Sequence, residues 1–198
     1  MECQRGRVDA EGESVKLINS ERRLGGHGSA RKEDKRSVMT EAEIKNYLDE
    51  AEKGPKKLAA AVSGLSEKVL RYKPTPDKWC ILEILGHLAD VELVYGYRMR
   101  QMIADKKPTI APIDQDDWAK NLGYLDASPA ELLAQYGVNR HHNLRLLRRL
   151  KPDDLKKSAW HPERNVNVEL EDMVQRFASH DANHLQQVER LKREGSKT

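Results

Sequence analysis

The stretch Phe177-Ala-Ser-His180-Asp-Ala-Asn-His184-Leu-Gln-Gln187 decides how the chain is read. In an α-helix this spacing puts the imidazoles of His180 and His184 on one face, with Cβ atoms about 6 Å apart. Met173, Phe177, His180, His184, Val188 and Leu191 advance by four, three, four, four and three positions, tracing one helical stripe. The pair therefore sits in the face that should meet a core. A buried imidazole needs partners for both ring nitrogens. Hydrogen bonds inside the core are one supply. A transition-metal ion shared by the two rings is another, and it requires a third ligand from elsewhere in the chain.

Around this stretch the chain reads as four helices. The first is predicted from about Thr40 to about Ser66, with a Thr40/Glu43 capping box. Pro55, after Gly54, is expected to kink it or start a second segment. The second is predicted from about Ile81 to about Ala104, with Cys80 a poor N-cap and Glu83 at the third position. The third opens at Ser128-Pro129-Ala-Glu131 and is predicted to reach about Leu150. The fourth is predicted from an Asn167 N-cap to about Arg193, after a loop or short hairpin at Trp160 to Val166. The turn between helices one and two predicts antiparallel neighbours. The connection from Asp105 to Ser128 is long enough for a crossover and for function. Arg140, Arg145, Arg148, Arg149 and Lys151 make helix three basic, which reads as a solvated face in the absence of a nucleic-acid motif.

Composition agrees with an all-α domain. Aromatics are only 5% of the residues and β-branched runs are scarce. Residues 1–38 are rich in Arg, Lys, Glu, Gly and Ser, broken by Gly25-Gly26-His27-Gly28. They are expected to form a disordered N-terminal tail, with Met39 a natural start and residues 39–198 the folded domain. The net charge of +3 does not argue for nucleic acid. No apolar run approaches the roughly 20 residues of a membrane span, and no signal-peptide core precedes the domain. Two distant cysteines, Cys3 and Cys80, do not imply a disulfide framework, so a cytoplasmic protein is expected.

His87 is the candidate third ligand, because it alone among the other histidines lies inside a core stripe, with Ile84 and Val91. His27 is in the tail, His141 and His142 lie among arginines, and His161 precedes Pro162. Three neutral imidazoles leave coordination positions open, as in catalytic rather than structural sites. There is no HExxH motif, no carboxylate-rich di-iron pattern and no nucleophile elbow.

Four stretches then stand in a familiar order: Asp77-Lys-Trp79-Cys-Ile-Leu-Glu83-Ile-Leu-Gly-His87-Leu-Ala-Asp90-Val-Glu92, Tyr97-Arg98, Asp114-Gln-Asp-Asp-Trp118, and His180-x3-His184-x2-Gln187. With these the chain resembles the DinB-like superfamily, in particular the branch grouped with YfiT-type metal-dependent hydrolases. The resemblance implies a four-helix bundle with a long crossover between helices two and three. It also implies a divalent metal, nickel or zinc, on His87, His180 and His184. Relatives include transferases and isomerases that use low-molecular-weight thiols such as bacillithiol or mycothiol. The implied activity is a metal-dependent hydrolase or thiol S-transferase acting on a small molecule, by a homodimer that needs neither nucleic acid nor membrane. The alternative is a non-catalytic metal-binding bundle, a stress-linked sensor or scaffold.

Other residues of the motifs carry two readings each. Asp90 and Glu92 are candidates for catalysis, or they orient ligands, cap and solvate. Gln187 orients a ligand, or it simply caps and solvates. Arg98 anchors substrate or clamps a loop, and Trp118 stacks on substrate or packs. Cys80 is a nucleophile or a small packing residue. The chain departs from the family at Cys80, where Ser is usual, and at Ile113, where an aromatic is frequent.

Overall fold

The computed structural model describes residues 39–197. The expectation for residues 1–38 lies outside them. Helix α1 spans Glu41–Val62, the short α2 Glu67–Leu70, α3 Ile81–Ala104, α4 Gln115–Asn121, α5 Pro129–Leu147 and α6 Leu170–Gly195. Strands β1 (Ser158–His161) and β2 (Val166–Glu169) form an antiparallel hairpin before α6.

Capping chemistry fixes the helix starts. Thr40 and Glu43 exchange hydrogen bonds, as do Ser128 and Glu131, with Pro129 at the first helical position. At α3 the device has a thiol in place of the hydroxyl: the Glu83 carboxylate accepts the Cys80 N–H at 2.8 Å, and the Cys80 sulfur faces the Glu83 N–H. Three expected boundaries change. Helix one ends at Val62, because Gly64 adopts φ 70° and turns the chain into α2. It runs through Pro55 without interruption. Helix six starts at Leu170, capped by the Asp172 carboxylate on the Glu169 N–H at 3.1 Å. Asn167 is not its cap; it pairs with Trp160 in the hairpin.

The four long helices form two parallel pairs. Met39 N–H donates to Glu171, and the Lys192 ammonium reaches the Ala61 carbonyl, so α1 and α6 run the same way. Gln135 reaches Asp90 and Asn143 reaches the Glu92 carbonyl, so α3 and α5 run together as well. The pairs pack antiparallel: Tyr95 meets Phe177 while His87 meets His184. Helices α1 and α3 are therefore diagonal, not the neighbours expected from their order in the chain. Residues 63–80, with α2 and two prolines, carry the chain across the end of the bundle. The crossover from α3 to α5 then climbs back along α3. It is pinned by backbone bonds from the Ile110 N–H to the Trp160 carbonyl and from the Trp160 N–H to the Pro108 carbonyl, by Trp79 Nε1 on Asp116, and by the Tyr124 hydroxyl on Asp90. The Tyr124 ring occupies the space over Gly86, where a Cβ would stand 2.3 Å from it. The crossover is not structureless, since it holds α4 and a 3₁₀ turn at Tyr124–Asp126.

Two apolar clusters fill the bundle. One, toward the hairpin, includes Leu48, Ala51, Val91, Tyr95, Met99 and Phe177. The other, toward α2, includes Leu58, Leu85, Leu88, Tyr136 and Val188. A polar waist separates them.

Candidate metal centre

Helix α3 delivers His87 to this waist, and α6 delivers His180 and His184. His87 and His184 are buried and His180 is half-buried. The three side chains turn the same atom inward. His87 Nε2 lies 3.3 Å from His180 Nε2, and His184 Nε2 lies 3.2 Å from it. Their ligand atoms all fall within 4.8 Å of one another. Nitrogen ligands about 2.0–2.1 Å from a tetrahedral ion stand about 3.3–3.4 Å apart, which is the spacing His180 keeps from each of its two neighbours.

Hydrogen bonding alone serves this arrangement poorly. An imidazole nitrogen has one in-plane direction, occupied by a proton or by a lone pair. His180 Nε2 faces two other ring nitrogens and can bond properly to only one of them. A cation at the shared centre takes all three lone pairs. The far side of His184 agrees: its Nδ1–H donates to Gln187 Oε1 at 2.9 Å, which leaves Nε2 with a lone pair.

Burial keeps these rings neutral. It pushes the His87 pKa well below the ordinary value, helped by His184. Burial, then His184 and His87, do the same to His180. His184 is lowered by burial and partly restored by its bond to Gln187 and by Asp181. Neutral imidazole is the form a metal binds.

Aromatic rings wall the centre. Trp79 lies 4.9 Å from the His87 ring at a tilt of 51°, and Tyr95 lies 6.1 Å from His180. Asp90 and Glu92 are bonded elsewhere. Asp90 accepts from Tyr124 and Gln135. Glu92 is buried at 2% exposure against Arg140 and Asn143, and burial raises its carboxyl pKa against the pull of Arg140. Arg98 donates to the Ala111 carbonyl, clamping the crossover. Trp118 is half-buried on α4. Cys80 is fully buried, and burial pushes its thiol pKa up, the opposite of an activated nucleophile.

Arg140 corrects the expectation of a solvated face. It is 2% exposed, while Arg145 on the same helix and Arg148 and Arg149 just beyond its end are exposed. Its place four residues after Tyr136 and four before Leu144 put it in the apolar stripe, which is the signal that identifies it. Asp181, its second partner, follows His180 directly.

A helical bundle with three convergent imidazoles defines a class of proteins whose waist could hold a metal ion. This chain belongs to the DinB superfamily, whose profile matches residues 50–188. It is 23% identical over 158 residues to the "Putative metal-dependent hydrolase YfiT" of Bacillus subtilis, covering 80% of this chain and 89% of that protein. It is 26% identical over 154 residues to another "Putative metal-dependent hydrolase", from Oceanobacillus iheyensis, covering 77% and 88%. The solved Bacillus subtilis YfiT structure, described as an unusual four-helix bundle topology, superposes with TM-score 0.76 at 22% identity. The superposition covers 84% of this chain and 94% of that one.

Proposed function

We propose that the chain is a metal-dependent enzyme, a hydrolase or low-molecular-weight-thiol S-transferase, with a divalent nickel or zinc ion on His87, His180 and His184. The observation that carries this reading is His180 Nε2 facing two other Nε2 atoms, where a single ring proton serves only one of them well and a cation serves all three. The names of the relatives support the hydrolase side of it. When bound, the ion supplies a Lewis acid that lowers the pKa of a water or thiol and makes it nucleophilic at neutral pH. The protein's own groups do the rest. Gln187 fixes the His184 tautomer, Trp79 and Tyr95 limit solvent at the centre, and Asp90 holds Tyr124 and so the crossover over α3. Arg98 and Trp118 belong to the crossover side, where a small-molecule substrate and a homodimer partner remain assignments of the family resemblance.

The test is metal content followed by turnover. Wild-type protein should bind about one equivalent of zinc or nickel in the manner of an open three-histidine site. His87→Ala, His180→Ala and His184→Ala should each abolish stoichiometric binding. Loaded protein is then assayed against ester and amide substrates and against thiols with a panel of electrophiles. Retained stoichiometric metal in the alanine variants sinks the site, and metal without any turnover favours a binding module.

A further inference from the structure

The metal ligands are divided between two helices that are not the most closely packed pair. Helix α3 lies chiefly against α5, and α6 chiefly against α1. Something must set how far α3 is displaced along its axis relative to α6, since each helical residue is a rise of 1.5 Å and a metal site tolerates distance errors of about 0.2 Å. The apolar contacts between the two helices, such as the Tyr95 ring edge on Phe177, are non-directional and do not set register that finely.

Arg140 reaches from α5 into the waist at this level. Nε donates to Glu92 Oε1 at 2.9 Å and Nη2 to the same oxygen at 2.5 Å. Nη2 also donates to Asp181 Oδ1 at 3.0 Å, and Nη1 to Asp181 Oδ2 at 2.5 Å. Nη1 donates again to the Ala51 carbonyl on α1, at 2.7 Å. All five guanidinium protons are thus committed. The guanidinium carbon also lies over the Tyr136 and Phe177 rings, 5.0 and 4.8 Å from their centroids. One side chain joins all four long helices. Its two carboxylate partners lie five residues after His87 and one residue after His180. Asn143 pins the second oxygen of Glu92 at 3.0 Å. Gly54 leaves the room, since a Cβ there would stand 2.2 Å from Asp181 Oδ2.

We propose that Arg140 is the positioning residue of the metal centre. By tying Glu92 on α3 to Asp181 on α6, it fixes the register at which His87 meets His180 and His184. The inference rests on the three-histidine reading above. No bond joins Arg140 to a histidine, and it acts through the two carboxylates. Lysine in its place has three donors on a flexible stem and cannot bridge both acids in one plane.

The test compares metal affinity with stability in the full chain. Wild type, Arg140→Lys, Gly54→Ala and Leu58→Ala are titrated with zinc against a chromogenic chelator, and with cobalt(II) while the visible d–d bands are recorded. Folding is followed by circular dichroism. Loss of a group that orients metal ligands typically costs about 10–100-fold in affinity. Arg140→Lys and Gly54→Ala, which pushes Asp181 from behind, are expected to weaken zinc at least tenfold and to alter the cobalt bands. Leu58→Ala, in the cluster toward α2, should lower the melting temperature and leave affinity and spectrum unchanged. If Arg140→Lys does not fold, Gly54→Ala carries the comparison. Wild-type affinity and spectrum in the folded variants overturns the inference, as does an equal loss in Leu58→Ala. Wild-type protein that takes up no metal overturns the three-histidine reading itself, and the inference with it.

Discussion

Gln187 decides which nitrogen of His184 faces the centre. Its carbonyl accepts the Nδ1 proton, and the lone pair is thereby placed on Nε2, 3.2 Å from His180 Nε2. Gln187→Leu keeps the approximate size and removes the acceptor. Metal affinity should fall about 10–100-fold, while the melting temperature of the metal-free protein moves little, because Gln187 is half-exposed. Competition with a chelator measures the first and calorimetry the second; unchanged affinity would show that packing alone orients the ring. The three histidines were legible in the sequence because each occupies an apolar stripe, where burial demands partners for two nitrogens. Arg140 obeys the same periodicity, yet its charge and its arginine neighbours make it read as solvated. A buried arginine announces itself only when its carboxylates are found, and Glu92 and Asp181 lie far from it in sequence. Trp79 against His87 was equally hidden, being part of a turn with no period to place it.

Helix α3 begins with a weak cap. Glu83 accepts the Cys80 N–H and is itself paired with Lys73 at 2.7 Å, but the acceptor offered in return to the Glu83 N–H is a thiol sulfur, a weak one. Cys80→Ser supplies a hydroxyl acceptor in a slightly smaller volume. The gain for a good N-cap is about 0.5–2 kcal/mol, which for a domain of this size raises the melting temperature by about 2–4 °C per kcal/mol. The thermal midpoint should therefore rise. A fall would mean that the packing of the thiol, fully buried at 0% exposure, outweighs the cap. Capping chemistry also explains which elements could be foreseen. The starts of α1, α3 and α5 were set by local pairs of residues. The start of α6 was displaced because hairpin pairing of Asn167 with Trp160 competes with its use as a cap. The order of helices around the bundle was not local at all. It depends on residues 63–80 crossing the bundle end, and a sequence shows the length of such a connection but not its direction.

At the scale of the whole molecule, the waist places three neutral imidazoles and a buried ionic cluster between two apolar halves, so stability is tied to protons. In the folded protein His87, His180 and His184 have pKa values below 6.5, chiefly through burial. In the unfolded chain they titrate near about 6.5. Above that value neither state binds protons at these rings, and their contribution is fully present. As pH falls below it, the unfolded chain takes up protons that the folded protein refuses, so stability is lost. The limiting slope is about 1.4 kcal/mol per pH unit for each histidine. Glu92 opposes this, because burial raises its carboxyl pKa and the folded state takes its proton first. It is one group against three. Metal-free protein should hold its stability from pH 8 to about 6.5 and then lose it steeply toward pH 5. Urea midpoints across that range, after chelator treatment, measure the loss, and a flat or rising midpoint on acidification would refute the burial of the neutral rings. The same pKa values bear on the ion. Ligands that are already neutral release almost no protons on binding zinc at pH 7. Calorimetric titration in two buffers of different ionisation enthalpy should therefore give heats that differ by no more than the one proton that water on the ion can release. Saturating zinc, which binds only the folded chain, should raise the urea midpoint at pH 7 by the amount its affinity dictates, about 2.7 kcal/mol at a hundredfold excess over Kd.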